Sequence, residues 1–456
     1  MGKRKRDRQP TMWVATTDLP TAASHPFYAR LNQLLREHGF DDFAEAQCAE
    51  FYADTMGRPG LAPGIYFRLL LIGYFEGLDS ERGIAWRAAD SLALRAFLEV
   101  DLDKAPPDHS TISRTRRLID LETHRAVFTW VLQWLSTADL VKGKTIGIDA
   151  TTLEANAALR SIVRRDTGES YQDFLTKLAQ ASGIETPTRA DLARIDRKRT
   201  KKGSNDDWTH PHDPDARIAK MKDGRTHLAH KAEHAVDLQT GAIVGITVQG
   251  ADQGDTTTIE VTLPEAVAQL EAVAAVTDDV VATGEEVVTD KGYHSKQKML
   301  ELATLGVRTY ISEPERGPQH WIDQRAERDA VYANRRRIRG DRGKQLLRRR
   351  SEFLERPNAH LYETGGMRRT HLRGHANILK RLLVHASGFN LGLFMRTLTG
   401  IGTPRSLQGR VAVALALFFA VPGRIADHWT DWRPRWDDPP PLFPLGHRSV
   451  LPEIAA

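Results

Sequence analysis

The chain has 456 residues and a mass of 51.1 kDa, enough for about two or three domains with sizeable cores. Hydrophobic residues make up 41% and charged residues 27%, which excludes wholesale disorder and a fibrous protein. The 64 Lys and Arg exceed the 59 Asp and Glu by only five, but nine basic residues and one acid fall within residues 335–350 (RRRIRGDRGKQLLRRR), so the other 440 residues carry a net −3.

Residues 1–25 begin with a basic stretch (MGKRKRDRQP), lack an apolar signal core and show no helical or strand period; they read as a flexible basic arm. From 26 to 135 the period is helical, with Leu31, Leu34 and Leu35, then Tyr66, Leu69, Leu70 and Ile72, at spacings of three and four. Pro63-Gly64 and Pro106-Pro107 mark helix boundaries. In DHSTISRTRRLIDL (108–121) an N-cap is followed by a helix carrying Arg114, Arg116 and Arg117. An all-α N-terminal domain is expected. The single cysteine, Cys48, excludes a disulfide framework and a cysteine-based zinc finger, and fits a reducing cytoplasm.

The pattern changes at Val141, where KTIGIDATTLEA reads as a strand with Ile146 and Ile148 on one face. Residues 156–215 are polar and read as a partly loop-like insertion. Residues 227–250 read as a hairpin turning at Gln239-Thr240-Gly241. Next come a helix over 258–273, a short strand ending at Asp290, a helix from near Ser295, and a strand over 307–314. Strands alternating with helices after a hairpin predict a mixed α/β domain over 141–398, closed by an amphipathic helix over 376–398. Residues 399–456 read as an irregular tail rich in Pro and Trp (Trp429, Trp432, Trp436). The longest apolar run, Val411 to Val421, has 11 residues and is too short to span a bilayer.

Asp149 and Asp290 each sit at or near the end of an apolar strand, where open α/β sheets line their ligand crevice. Taken singly, such an aspartate most often caps a turn or helix. Brought together, two carboxylates need cations, and hard oxygen donors favour Mg²⁺ or Mn²⁺ over zinc. Two such ions about 3.5–4 Å apart suit phosphoryl transfer. His210, His212, His227, His230 and His234 do not share one strand face, so no zinc site is expected; Asp237 and Asp255 read as turn or cap residues.

Several segments in one order, IGIDATTLEANA, DPDARIAK, HKAEHAVD, VTDKGYHS and GGMRRTHLRGHANILKRLLVH, resemble the DDE-type transposases of bacterial insertion sequences; PPDHSTISRTRRL resembles that group's helical N-terminal domain. The resemblance spans about residues 28–396 and implies an RNase H-like catalytic domain in which Asp149 and Asp290 are the first two catalytic acids. The third is a glutamate on a later helix. Glu352 and Glu355 both lie roughly opposite the apolar stripe of Leu346, Leu347, Phe353 and Leu354, so periodicity does not choose between them, and Glu363 lies beyond Pro357. The family pattern matches Glu355-Arg356 best; the glutamate that some members carry two residues after Arg-Gly is Ala376 here. Pro357 implies that the helix ends at Arg356 unless the motif is degraded, and Asn358 stands where the family commonly has an aromatic residue.

The family chemistry is cleavage at the element's ends and strand transfer into target DNA, with two Mg²⁺ or Mn²⁺ ions held by Asp149, Asp290 and Glu355. The implied partners are the terminal inverted repeats and target DNA, bound by at least a homodimer, in the cytoplasm and on the nucleoid, with no membrane. The run 335–350 reads as a basic helix leading into Glu355, with Arg335, Arg336, Arg337, Arg339, Arg348, Arg349 and Arg350 on the DNA backbone and Arg368, Arg369 and Arg373 extending the track. Arg114, Arg116 and Arg117 are candidates for contacts to the element ends. Two other readings are a DNA-binding copy or regulator without catalysis, and an RNase H-like nuclease without strand transfer.

Overall fold

The computed structural model describes residues 25–53, 60–200, 203–221, 223–277, 281–315, 317 and 319–408. The basic arm, apart from His25, and the tail beyond 408 with its three tryptophans lie outside the described residues.

The N-terminal part is helical, as the periodicity predicts: α1 (Pro26–Glu37), α2 (Phe40–Cys48), α3 (Pro63–Glu76), α4 (Glu81–Ala89), α5 (Leu92–Phe97), α6 (His109–Leu118) and α7 (Leu121–Thr137). The helix starts are written in the sequence. Proline opens α1 and α3, and the side chains of Ser80, Ser91, Asp108 and Asp120 accept from otherwise unpaired first-turn N–H groups of α4 to α7. Helix α3 is buried all round and forms the hub of this part. Its buried Arg68 is neutralised by a two-pronged contact with Asp41 and donates to Asn32 Oδ1 (3.1 Å).

Strand β1 (Thr145–Glu154) opens the α/β part. The insertion after it is more ordered than its polarity suggests. It contains β2 (Val163–Arg164), α8 (Tyr171–Ala181), α9 (Arg189–Lys198) and β3 (Trp208–Thr209), around a small core of Ile162 and Trp208 with Tyr171 and Phe174 against it. Then follow β4 (Arg217–Lys220), β5 (Thr226–Asp237), β6 (Ile243–Gly250), α10 (Asp255–Ala274), β7 (Glu286–Thr289), α11 (Lys296–Thr304) and β8 (Arg308–Ile311). Helices α12 (Arg325–Arg339), α13 (Asp341–Asn358) and α14 (His375–Thr399) complete the fold.

One six-stranded mixed sheet runs β5–β1–β7–β8, with β4 and β6 on the outer side of β5. β1 is antiparallel to β5 and parallel to β7, and β7 is parallel to β8. Both outer edges are closed by an asparagine that copies a strand. Asn390 of α14 bonds the N–H and C=O of Ile243, and Asn334 of α12 does the same for Ile311. Ile146, Ile148 and Val287 share the main core with Ile259, Leu263 and Leu270 of α10. On the opposite face Val288, Leu238 and Tyr310 pack on Leu346 of α13.

Two expectations are corrected here. The basic run is not one helix: Gly340 separates α12 from α13, and the turn is so tight that a Cβ on Gly343 would lie 2.1 Å from the Arg337 carbonyl oxygen. Nor does the later helix end at Arg356. α13 continues through Pro357 to Asn358 and opens into a wide π-helical turn over Ala359–Thr364. A proline this close to a helix end removes a single backbone donor, and the wider turn that follows accommodates the break.

Candidate active site

The parallel pairing of β1 with β7 ends at Gly147 opposite Val288. Asp149 and Asp290 are each two residues farther along, so the register brings them side by side on the sheet face that Gly147 and Val288 share, the face covered by α13. β7 stops there, and β1 next gains a neighbour on that edge at Glu154, whose N–H donates to Arg368 O (3.1 Å) and whose carbonyl accepts from Thr370 N–H (3.0 Å). The two aspartates therefore sit in a notch in the sheet, between the end of β7 and the 368–370 segment.

Each carboxylate is held. Asp290 caps the turn after β7, its Oδ1 accepting from Gly292 N–H (2.8 Å). Asn358 Nδ2 approaches Asp149 Oδ2 at 3.4 Å. Beside Asp149, its cross-strand partner His234 is fully buried; burial pushes its pKa down to about 3, and its neutral ring shares a hydrogen bond between Nε2 and Tyr362 OH (2.7 Å). Beyond the opposite face, Tyr293 OH and Thr258 Oγ1 donate to Glu233 Oε1 (2.6 and 2.7 Å), and burial raises the Glu233 pKa.

Of the three candidate glutamates, Glu355 lies one helical turn before Asn358 and so shares its side of α13; it is exposed and makes no hydrogen bond or ion pair among the described residues. Glu352 is paired with Arg356 (2.5 Å), and Glu363 with Arg368. Among the described residues no three His, Cys, Asp or Glu side chains come together where they could hold a metal ion, so Glu355 does not join Asp149 and Asp290 as a third ligand in this structure. The donors nonetheless fit a hard cation, since Mg²⁺ characteristically takes one or two carboxylates and completes its shell with water and substrate phosphate oxygens. Asp149 and Asp290 offer such a pair.

The histidines have other duties. His230 and Asp213 are fully buried and bonded (3.2 Å), and Asp213 also accepts from Gly374 N–H (3.0 Å), tying the insertion to the start of α14. His227 faces Asp223. Asp237 is a turn residue that accepts from the N–H groups of Lys142, Gly143 and Gln239. Asp255 is not the cap that the sequence suggested: Gly254 precedes α10 with no side-chain cap, and Asp255, the first helical residue, pairs its Oδ1 with Lys231 Nζ at 2.5 Å. Sequence reasoning missed this pair and Asn358. The available signal was a lysine in the middle of an otherwise core-facing strand, which requires a buried partner.

Residues 18–118 match the family model of a transposase domain (DUF772), and residues 193–391 match that of a transposase DDE domain. The chain belongs to the DDE-type transposases of insertion sequences. Asp290 and Glu355 fall within the second match, and Asp149 lies between the two. The helical part followed by a mixed α/β sheet agrees with the RNase H-like architecture of DDE domains. No curated protein matches the chain. Among the described residues no helix is long and apolar enough to cross a membrane.

The transposase's arginines divide into two groups. Arg336, Arg339, Arg348, Arg349, Arg368, Arg369 and Arg373 are exposed, as are Arg114 and Arg117 on α6, while Arg350 is half-buried. Others face inward, contrary to the uniform basic surface expected. Arg335 is paired with Glu313, and Arg337 donates to Thr309 O and Oγ1 (both 2.9 Å), fixing α12 to β8. Arg116 is buried, with Nε on Glu81 Oε1 (2.7 Å) and Nη1 on Asn377 Oδ1 (2.6 Å). Nearby, buried Lys380 caps the Arg116 and Ile119 carbonyls at 3.1 and 2.7 Å, so α6 is joined rigidly to α14.

Proposed function

We propose that this transposase cuts DNA at the ends of its insertion sequence and joins the freed strand to target DNA, with Asp149, Asp290 and Glu355 holding two Mg²⁺ or Mn²⁺ ions. The observation that carries the proposal is the parallel register that sets Asp149 beside Asp290 in an open notch of the sheet. Metal bound there would neutralise phosphate charge and make the attacking oxygen a better nucleophile.

The chain's own contribution is positioning. Gly292 N–H and Asn358 Nδ2 orient the two aspartates, and Glu355 stands on the same side of α13 as Asn358. Exposed arginines of α12, α13 and the 368–373 segment draw the DNA backbone toward the notch, and Arg114 and Arg117 of α6 are available to the element end. Water oxygen bonds to phosphorus as the P–O3′ bond breaks, freeing a 3′-hydroxyl. That hydroxyl then attacks a target phosphodiester in the same in-line manner, displacing a second 3′-oxygen. Joining two ends calls for at least a homodimer on DNA. The test is Mg²⁺-dependent cleavage of a duplex carrying the terminal repeat: Asp290→Ala abolishes it, and unchanged cleavage contradicts the assignment.

The open position of Glu355 gives some weight to a second reading, a DNA-binding copy or regulator without catalysis. Glu355→Gln separates them. Loss of cleavage with retained DNA binding marks an active enzyme, and a wild-type chain that binds the repeat without cutting it marks the alternative.

A further inference from the structure

Asp255 is the first residue of α10 and by position alone would be an ordinary helix-start acid. Its surroundings are not ordinary. Lys231 reaches it from the middle of β5, its side chain only 8% exposed, with Nζ bonded to Asp255 Oδ1 and to Gln253 O (3.1 Å). The other oxygen, Oδ2, faces the turn after β7. A Cβ on Gly292 would lie 2.3 Å from Asp255 Oδ2 and 3.0 Å from Asp290 Oδ1, so the two carboxylates close like a clasp on the Cβ side of Gly292. Gly292 has no positive φ; what a side chain would meet there is the two carboxylates, not a backbone obstacle. The far end of the same turn is fixed by Tyr293, whose phenol is bonded to buried Glu233.

We propose that Asp255 is a positioning residue for Asp290: held by Lys231, it presses on Gly292 and so fixes the turn whose N–H orients the Asp290 carboxylate. This rests on the reading above that Asp149 and Asp290 hold the metal. The clasp therefore couples the start of α10 to the metal-facing carboxylate. An acid serving only the α10 helix dipole would need neither a buried lysine partner nor a glycine with no room for a methyl group.

The test is calorimetric titration of the full chain with Mn²⁺ alone, alongside melting temperatures, so that no readout depends on turnover. Asp255→Asn weakens Mn²⁺ binding about tenfold, the lower end of the range for groups that orient a metal ligand. Asp255→Asn leaves the Lys231 ammonium buried without its counter-charge and risks misfolding, so Gly292→Ala is the second variant. It retains both Lys231 and Asp255, adds a methyl group against the Asp255 carboxylate, and weakens Mn²⁺ about as much with the melting temperature within a few degrees of wild type. Wild-type Mn²⁺ affinity in a folded Gly292→Ala overturns the proposal, as does a weakening that appears only with a loss of melting temperature. A wild-type chain that binds no Mn²⁺, or an Asp290→Ala chain that binds it as tightly as wild type, instead overturns the metal-pair reading on which the proposal stands.

Discussion

Asp149 and Asp290 lie far apart in the chain and are brought together by the register of two parallel strands, whereas the arginines of 335–350 are contiguous in sequence and are separated by the fold. In the first region a rigid sheet makes neighbours on one face of Asp290, just past the end of β7, and Asp149, which lies in the middle of β1 and not near its end as the sequence suggested. In the second, the break at Gly340 divides the run between two helices. Arg335 and Arg337 then hold α12 to the sheet and its flanking loop, while Arg336, Arg339 and Arg348 face solvent. Sheet register is a strong constraint because a one-residue slip would turn an aspartate to the opposite face. A charge run carries no such constraint, and each arginine's role depends on which side of its helix it occupies.

The contrast is testable, beginning with the largest effect. If the notch and the α13 side bearing Asn358 define the site, Glu355→Gln lowers end cleavage on the order of a thousandfold, about 4 kcal/mol of barrier. Glu352→Gln, which only releases Arg356, leaves the rate within about threefold. Equal losses in a quantitative cleavage assay would remove the distinction between the two glutamates. Next is the division among the arginines. Arg116→Ala strands buried partners and costs about 3 kcal/mol of stability in a denaturant titration, while leaving the salt dependence of DNA binding unchanged.

The combined variant Arg336→Ala, Arg339→Ala, Arg348→Ala does the reverse. Stability is preserved, and the slope of log affinity against log salt falls by about 0.9 for each phosphate that is no longer neutralised. A flat salt profile for the wild type would count against backbone binding by this surface. The smallest effect concerns the floor of the site. Burial depresses the pKa of His234 to about 3 in the folded chain, while in the unfolded chain it takes up a proton near 6.5. The unfolded state therefore binds the extra proton as pH falls below 6.5, and stability declines from there toward pH 3. His234→Gln removes about 1 kcal/mol of that loss between pH 6.5 and 5.5, read as a shallower fall in melting temperature.

Much of this was legible from the sequence for the same reason that the register is strong. Alternation located β1 and the β5–β6 hairpin, a short apolar run located β7, the N-cap in 108–121 located α6, and Asp290 was visible at the end of its strand, whereas β1 continues past Asp149 to Glu154. Less legible was whatever depends on residues remote in sequence. Strand β4 is a four-residue edge strand of mixed polarity, recognisable only by its pairing with β5. The insertion is polar overall, yet Ile162, Trp208, Tyr171 and Phe174 suffice for a local core. Pro357 suggested a stop because a local rule was applied to a helix end that could open into a π turn. The Lys231–Asp255 pair and the Asn358–Asp149 approach join elements that no periodicity relates.

The central claim, that Asp290 holds a catalytic metal ion beside Asp149, is tested most directly by Asp290→Cys assayed for end cleavage in Mg²⁺ and in Mn²⁺. A sulfur ligand suits the softer ion far better than Mg²⁺. The predicted result is cleavage lost in Mg²⁺ and partly restored in Mn²⁺, with DNA binding unchanged in both. Full activity of Asp290→Cys in Mg²⁺ would contradict the claim.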